Sequence, residues 1–237
     1  MNVTGSLAVV TGATEGIGRA TAFALGRAGA RLAICARTAA NVAATVDALK
    51  AGGIDAIGMP CDVSDPSCVT AFASFVSRER GQPNILVNNA GIGRFKPLLE
   101  LALEDWDDTM GVNVRSLYLV TRAFLKGMVE ARSGTIVNIA SLAGKNGVEG
   151  GTAYCASKHA VLGFSKSLML EVRKLGIRVV AICPGSVDTA FAVKRERPHA
   201  SRERALTAED VAHTVLAAVS VSDRAMISEV DIRPTDP

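Results

Sequence analysis

An α/β fold, a doubly wound parallel sheet of seven strands with helices on both faces, is what the sequence predicts, and three observations predict it. Short apolar runs rich in β-branched residues alternate with longer segments of helical period. This βαβα rhythm calls for parallel strands covered on both sides. No linker, repeat or low-complexity tract interrupts it, so residues 1–237 read as a single domain. The composition agrees: 49% of residues are hydrophobic and only 4% aromatic, so the core is aliphatic.

The elements follow in order. Residues 7–10 read as the first buried strand, and residues 17–28 as a helix that Gly29 ends. Residues 31–35 are the second strand; residues 39–51 are a helix stopped by Gly52 and Gly53. A third strand spans 56–60, then a helix spans 65–80 with Ser64 as its expected cap. Residues 85–87 form the fourth strand. Residues 104–132 suffice for one continuous helix or a broken one. A fifth strand at 135–139, a long helix at 152–175 and a sixth strand at 177–182 come next. A helix over 207–220 and a strand over 225–232 complete the pattern. The polar stretch 194–204, "KRERPHASRER", reads either as a solvated loop or as part of a lid over a substrate cleft.

Charge and cysteine usage exclude several functions. A net charge of +3 without clustered basic residues does not suit nucleic-acid binding. No uncharged apolar stretch is long enough for a membrane span, and residues 1–7 show no signal-peptide pattern. Five cysteines at non-zinc spacings read as reduced thiols, so a cytoplasmic protein without a metal is expected.

Two stretches carry chemistry. In "VVTGATEGIGRA", residues 9–20, a strand meets a glycine-rich turn and then a helix. Gly12, Gly16 and Gly18 let the backbone turn tightly and approach a ligand. The N–H groups and positive dipole end of the helix then favour a pyrophosphate. In "AYCASKHAV", residues 153–161, Tyr154 and Lys158 stand one helical turn apart. A tyrosine ordinarily titrates near pH 10 and serves as an acid or base near neutrality only where something stabilises its phenolate. A neighbouring ammonium in a partly desolvated cleft does that. Reducing a ketone needs such a proton donor, because hydride delivered to carbon leaves an alkoxide. Ser141 follows the fifth strand at the carboxyl edge of the sheet, where its hydroxyl can bond a substrate oxygen. Pro184 and Gly185, after the sixth strand, can bring backbone groups to a ligand at the same edge.

The stretches "TGATEGIG", "NNAG", "VNV", "IVNIAS", "YCASK" and "PGSVDT" occur in this order over nearly the whole chain. The set resembles the short-chain dehydrogenase/reductase family. The resemblance implies a Rossmann-type domain, a nicotinamide cofactor and a homotetramer or homodimer. It implies that Asn113, Ser141, Tyr154 and Lys158 are catalytic, with Asn113 holding a water that links the lysine to solvent. A helix kink or an internal polar bond is the other reading of Asn113. For the cofactor it adds Thr14, Ile17, Asp62, Val63, Asn89, Gly91, Val187 and Thr189 to the residues above. A turn role is equally open to Asn89. Ala36 stands where an acid would bind the ribose of NAD, and Arg37 beside it can pair with the 2′-phosphate of NADP. NADP is therefore expected over NAD, although Glu15 occupies a position that is often basic in NADP enzymes of the family. The set further resembles 3-oxoacyl-carrier-protein reductases. Arg132 matches one carrier-docking arginine, while Leu175 replaces the second and the tail differs. The expected substrate is a 3-oxoacyl thioester; a small ketone or hydroxy acid, or a non-catalytic NADP sensor, are the alternatives.

Overall fold

The computed structural model describes residues 2–193 and 204–236, so the expected lid over 194–204, apart from Arg204, lies outside the described residues. Seven parallel strands form one sheet: β1 (Leu7–Thr11), β2 (Arg31–Ala36), β3 (Ala56–Pro60), β4 (Ile85–Asn88), β5 (Gly134–Ile139), β6 (Ile177–Pro184) and β7 (Glu229–Ile232). Their order across the sheet is β3-β2-β1-β4-β5-β6-β7. The winding reverses at β1, where Val10 pairs with Ile34 of β2 on one side and Val87 of β4 on the other. That reversal opens a crevice beyond the carboxyl ends of β1 and β4.

Helices α1 (Gly16–Arg27), α2 (Ala39–Ala51), α3 (Pro66–Arg80), α4 (Leu103–Met110), α5 (Ser116–Ala131), α6 (Thr152–Val172), α7 (Ala190–Val193) and α8 (Ala208–Ser220) follow. The two-residue period of the strands divides the core. Ala8, Val10, Val180 and Ile182 point towards α1 and α8, packing with Leu25, Val211 and Val215. Leu7, Val9, Ile177 and Val179 point the other way, towards α3, α5 and α6, packing with Phe72, Phe124 and Leu168. Both faces are apolar because both are covered.

Two expectations need adjustment, and a third is resolved. The cap of α3 is Asp65, whose carboxylate accepts from the Ser67 N–H at 2.8 Å, with Pro66 opening the helix. Ser64 cannot serve, because its N–H and hydroxyl are both tied to Asp62 Oδ1. The last strand starts at Glu229 rather than at 225. The buried Arg178 guanidinium draws in the carbonyls of Val219, Val221 and Ala225, so the chain runs there as a loop. Residues 103–131 are helical throughout, but a π turn, Gly111–Arg115, separates α4 from α5. The hydroxyl of Ser116 donates to the Val112 carbonyl within this wide turn.

Candidate active site

A cleft of about 900 Å³ opens at the carboxyl edge of the sheet. Its first wall is the turn from β1 to α1. Gly12 has φ +61°, and a Cβ there would come 2.9 Å from the Ala90 Cα. A Cβ on Gly18 would sit 2.3 Å from the Gly12 carbonyl oxygen. The turn is therefore bare backbone, held by close packing. Asn89 fastens it from the neighbouring strand, donating from Nδ2 to the carbonyls of Thr11 and Gly12, each at 3.0 Å. Thr11 returns the link by accepting from the N–H groups of Asn89 and Ala90, both at 3.1 Å. Gly12, Thr14, Gly16 and Ile17 line the cleft, whereas buried Gly18 lies behind them. No side chain caps α1 and its first turn holds no acid, although Glu15 stands at the N-cap position, so the positive dipole end of the helix lies at the cleft.

The cleft continues past Arg37, Asp62 and Val63 at the ends of β2 and β3. Arg37 and Glu15 are both exposed at this end. The carboxylate of Asp62 is engaged by Ser64. Asn89, Gly91, Pro184, Gly185, Val187 and Thr189 line the other half.

Ser141, Tyr154 and Lys158 line the same cleft, and Asn113 is buried outside its lining. Ser141 caps a short 3₁₀ turn, accepting from Ala143 N–H at 3.1 Å. Its own hydroxyl reaches the Pro184 carbonyl at only 3.4 Å, a weak contact that a better acceptor can replace. The Lys158 ammonium is buried, donates to the Ile139 carbonyl at 2.8 Å and lies 5.8 Å from the centre of the Tyr154 ring. Burial pushes it down from its ordinary value to about 8. Asn113 sits in the π turn with its amide fully committed. Oδ1 accepts from Ile92 N–H and Nδ2 donates to the Ile92 carbonyl, both at 2.8 Å, and Nδ2 also reaches Ser157 Oγ at 2.9 Å. The Ser157 hydroxyl in turn donates to the Tyr154 carbonyl at 2.7 Å. Helix irregularity and internal polar bonds thus coexist at Asn113, and together they tie the loop after β4 to α6.

Sequence reasoning did not single out several residues in and around this cleft. Thr11 and Ser157 lie within the quoted motifs and act from behind the cleft, through hydroxyl bonds to Asn89, Ala90, Asn113 and Tyr154 that no spacing reveals. Thr38 and Asn41 line the Arg37 end, Thr38 next to Arg37 in sequence and Asn41 in the first turn of α2. Phe95 and Phe191 flank the Tyr154 ring, with ring centres 5.2 and 5.7 Å from it. They are nearly a hundred residues apart, and only the fold brings them together. Arg204 lines the cleft from the described end of the 194–204 stretch.

Against known proteins, the family model described as short chain dehydrogenase matches residues 6–200. The chain is 41% identical to the 3-oxoacyl-acyl-carrier-protein reductase FabG of Pseudomonas aeruginosa, over 87% of this chain and 83% of that protein. A metagenomic short-chain oxidoreductase solved in complex with NADP is 38% identical, covers 99% of both chains and superposes with a TM-score of 0.87. A variant actinorhodin polyketide ketoreductase solved with NADPH is 34% identical, with a TM-score of 0.91 over 97% of this chain and 96% of that one.

Proposed function

The chain belongs to the short-chain dehydrogenase family, and we propose on that premise that it is an NADP(H)-dependent ketoreductase, with 3-oxoacyl thioesters as its substrate class. One observation carries this reading: a bare glycine turn and a Tyr154–Lys158–Ser141 group share a single cleft. The relatives that reduce 3-oxoacyl or polyketide substrates support the substrate class.

The residues present suit the cofactor. The turn at Gly12 and Gly18 has no room for a Cβ, which leaves backbone N–H groups for a pyrophosphate. NADPH supplies the hydride when bound. Tyr154 gives the proton that the carbonyl oxygen needs once it becomes an alkoxide. Ser141 turns its hydroxyl from Pro184 towards that oxygen and stabilises the developing charge. Lys158 lies close enough to the Tyr154 ring to stabilise its phenolate. Asn113 acts at a distance by fixing Ile92 and Ser157. All of 1–237 serves as one catalytic domain, and a cytoplasmic location belongs to the same proposal.

Arg37 favours NADP over NAD. It is exposed, so screening reduces its charge-assisted bonds to a preference of about 10- to 100-fold, or roughly 1.4–2.7 kcal/mol. With an acetoacetyl thioester as substrate, Arg37→Ala raises the KM for NADPH and leaves NADH nearly unchanged. A wild type that prefers NADH, or a variant weakened equally for both, would remove Arg37 from the site. A wild type that binds NADPH and turns over no ketone would instead be a sensor.

A homo-oligomer completes the proposal. Leu98, Leu99, Leu103 and Tyr118 on and before the α4–α5 span, with Leu170 on α6, are large apolar residues left exposed. A dimer or tetramer covers them. Sedimentation at micromolar concentration should show a species well above 24.6 kDa.

A further inference from the structure

Aromatic side chains are scarce in this protein: one Trp, two Tyr and seven Phe. Phe72 and Phe124 fill the deep core. Three others converge on the reaction centre from separate elements: Phe95 from the loop after β4, Tyr154 from α6 and Phe191 from α7. Phe95 and Phe191 meet edge to face, with centres 6.3 Å apart and planes at 88°. The Phe95–Tyr154 and Tyr154–Phe191 planes are tilted at 51° and 46°. All three rings are half-buried and line the cleft. Gly93 makes room for this cluster, since a Cβ there would lie 2.6 Å from the Phe95 ring and 2.7 Å from the Phe191 ring.

The cluster is not part of the core, which other side chains already fill on both faces. Its position bears on the substrate instead. A ketone whose oxygen accepts a proton from Tyr154 can place one carbonyl substituent against these rings, which line the same cleft. Ile92, Leu142 and Val148 also line the cleft and offer a substituent no charge or hydroxyl. Aromatic rings reward a flat partner beyond its buried area, through offset or edge-to-face contact, and an aliphatic ring of the same size does not gain this.

We infer that Phe95 and Phe191 are specificity-determining residues that receive a flat, conjugated or aryl group attached to the reacting carbonyl, making aryl ketones the preferred substrates. The inference deepens the ketoreductase reading and rests on it. It predicts that Phe95 and Phe191 contribute to discrimination between ring types, with the proton still delivered by Tyr154.

The test compares benzoylacetyl and cyclohexanoylacetyl thioesters of N-acetylcysteamine, with NADPH, in wild type, Phe95→Leu and Phe191→Leu. The readout is the ratio of kcat/KM for the phenyl substrate to that for the cyclohexyl one. Intrinsic reactivity of the two ketones cancels when this ratio is compared between proteins. Each leucine variant should lower the ratio by about 10-fold, the equivalent of about 1.4 kcal/mol. A ratio unchanged in both variants overturns the inference while leaving the ketoreductase reading intact. NADPH binding without reduction of either substrate or of an acetoacetyl thioester overturns both.

Discussion

Replacing Tyr154 by Phe should lower kcat by about 10²- to 10⁴-fold while NADPH still binds. That loss corresponds to roughly 2.7–5.5 kcal/mol of transition-state stabilisation. The reasoning is local. The substitution removes one hydroxyl and keeps the ring, whose contacts with Phe95 at 5.2 Å and Phe191 at 5.7 Å hold the side chain in place. The glycine turn that receives the pyrophosphate lies at the other end of the cleft and is untouched. Steady-state rates with an acetoacetyl thioester, together with fluorescence titration of NADPH, separate the two effects. A variant that keeps the wild-type kcat would remove Tyr154 as proton donor. A variant that loses NADPH binding as well would mean that the hydroxyl also serves to hold the cofactor.

Lys158→Met should reduce turnover by about 10²-fold or more, and it should also change how stability depends on pH. The ammonium of Lys158 is buried, and its value falls from 10.5 to about 8. At about 1.4 kcal/mol per unit, this burial costs the folded state about 3 kcal/mol whenever the lysine is charged in both states. Below about pH 8 the whole cost is present. Between about 8 and 10.5 the unfolded chain binds more protons than the folded one, so wild-type stability gains with rising pH. Methionine has nearly the same length and no charge, so the variant lacks this gain. It does leave the Ile139 carbonyl without its donor, a loss of about 1–3 kcal/mol that offsets part of the relief. The stability of the variant relative to wild type should therefore be highest below pH 8 and should fall as pH rises above it. Urea unfolding of both proteins at neutral and alkaline pH measures the difference, in which the other titrating groups cancel. A difference that stays constant across pH would show that Lys158 is not held charged and buried.

Most strands were legible because they are short, largely apolar runs, as both faces of the sheet are covered. The same signal misplaced the start of β7. Residues 225–227 look as apolar as a strand, yet Arg178 from β6 claims the carbonyls of Val221 and Ala225. Nothing within the stretch announces a guanidinium more than forty residues away. The cap of α3 was misassigned by one residue for a similar reason: Ser64 is a good cap type, but Asp62 had already taken its hydroxyl. The glycine turn and the Tyr154–Lys158 pair were legible because their chemistry dictates short spacings. For Phe95 and Phe191 the sequence points to the pocket-forming stretches 93–99 and 191–204 but not to the rings themselves, since a lone phenylalanine is indistinguishable from packing until the fold closes. Asn89 shows an intermediate case. Its type and place were readable, and the structure adds that its amide holds the turn through Thr11 and Gly12.

The π turn at Gly111–Arg115 has a consequence for what the helix can lose. A regular helix advances 100° per residue, and a π turn accommodates one residue more than the same span of α-helix would. Shortening the chain by one residue here would leave α4 and α5 in their present angular phase and let the backbone close its normal ladder. The helix would become more regular, and Ser116 would no longer be required to satisfy the Val112 carbonyl. Asn113 would be swung out of line with Ile92 and Ser157, and the loop after β4 would come loose from α6. The irregularity thus exchanges a regular helical ladder for the placement of Asn113 against Ile92 and Ser157.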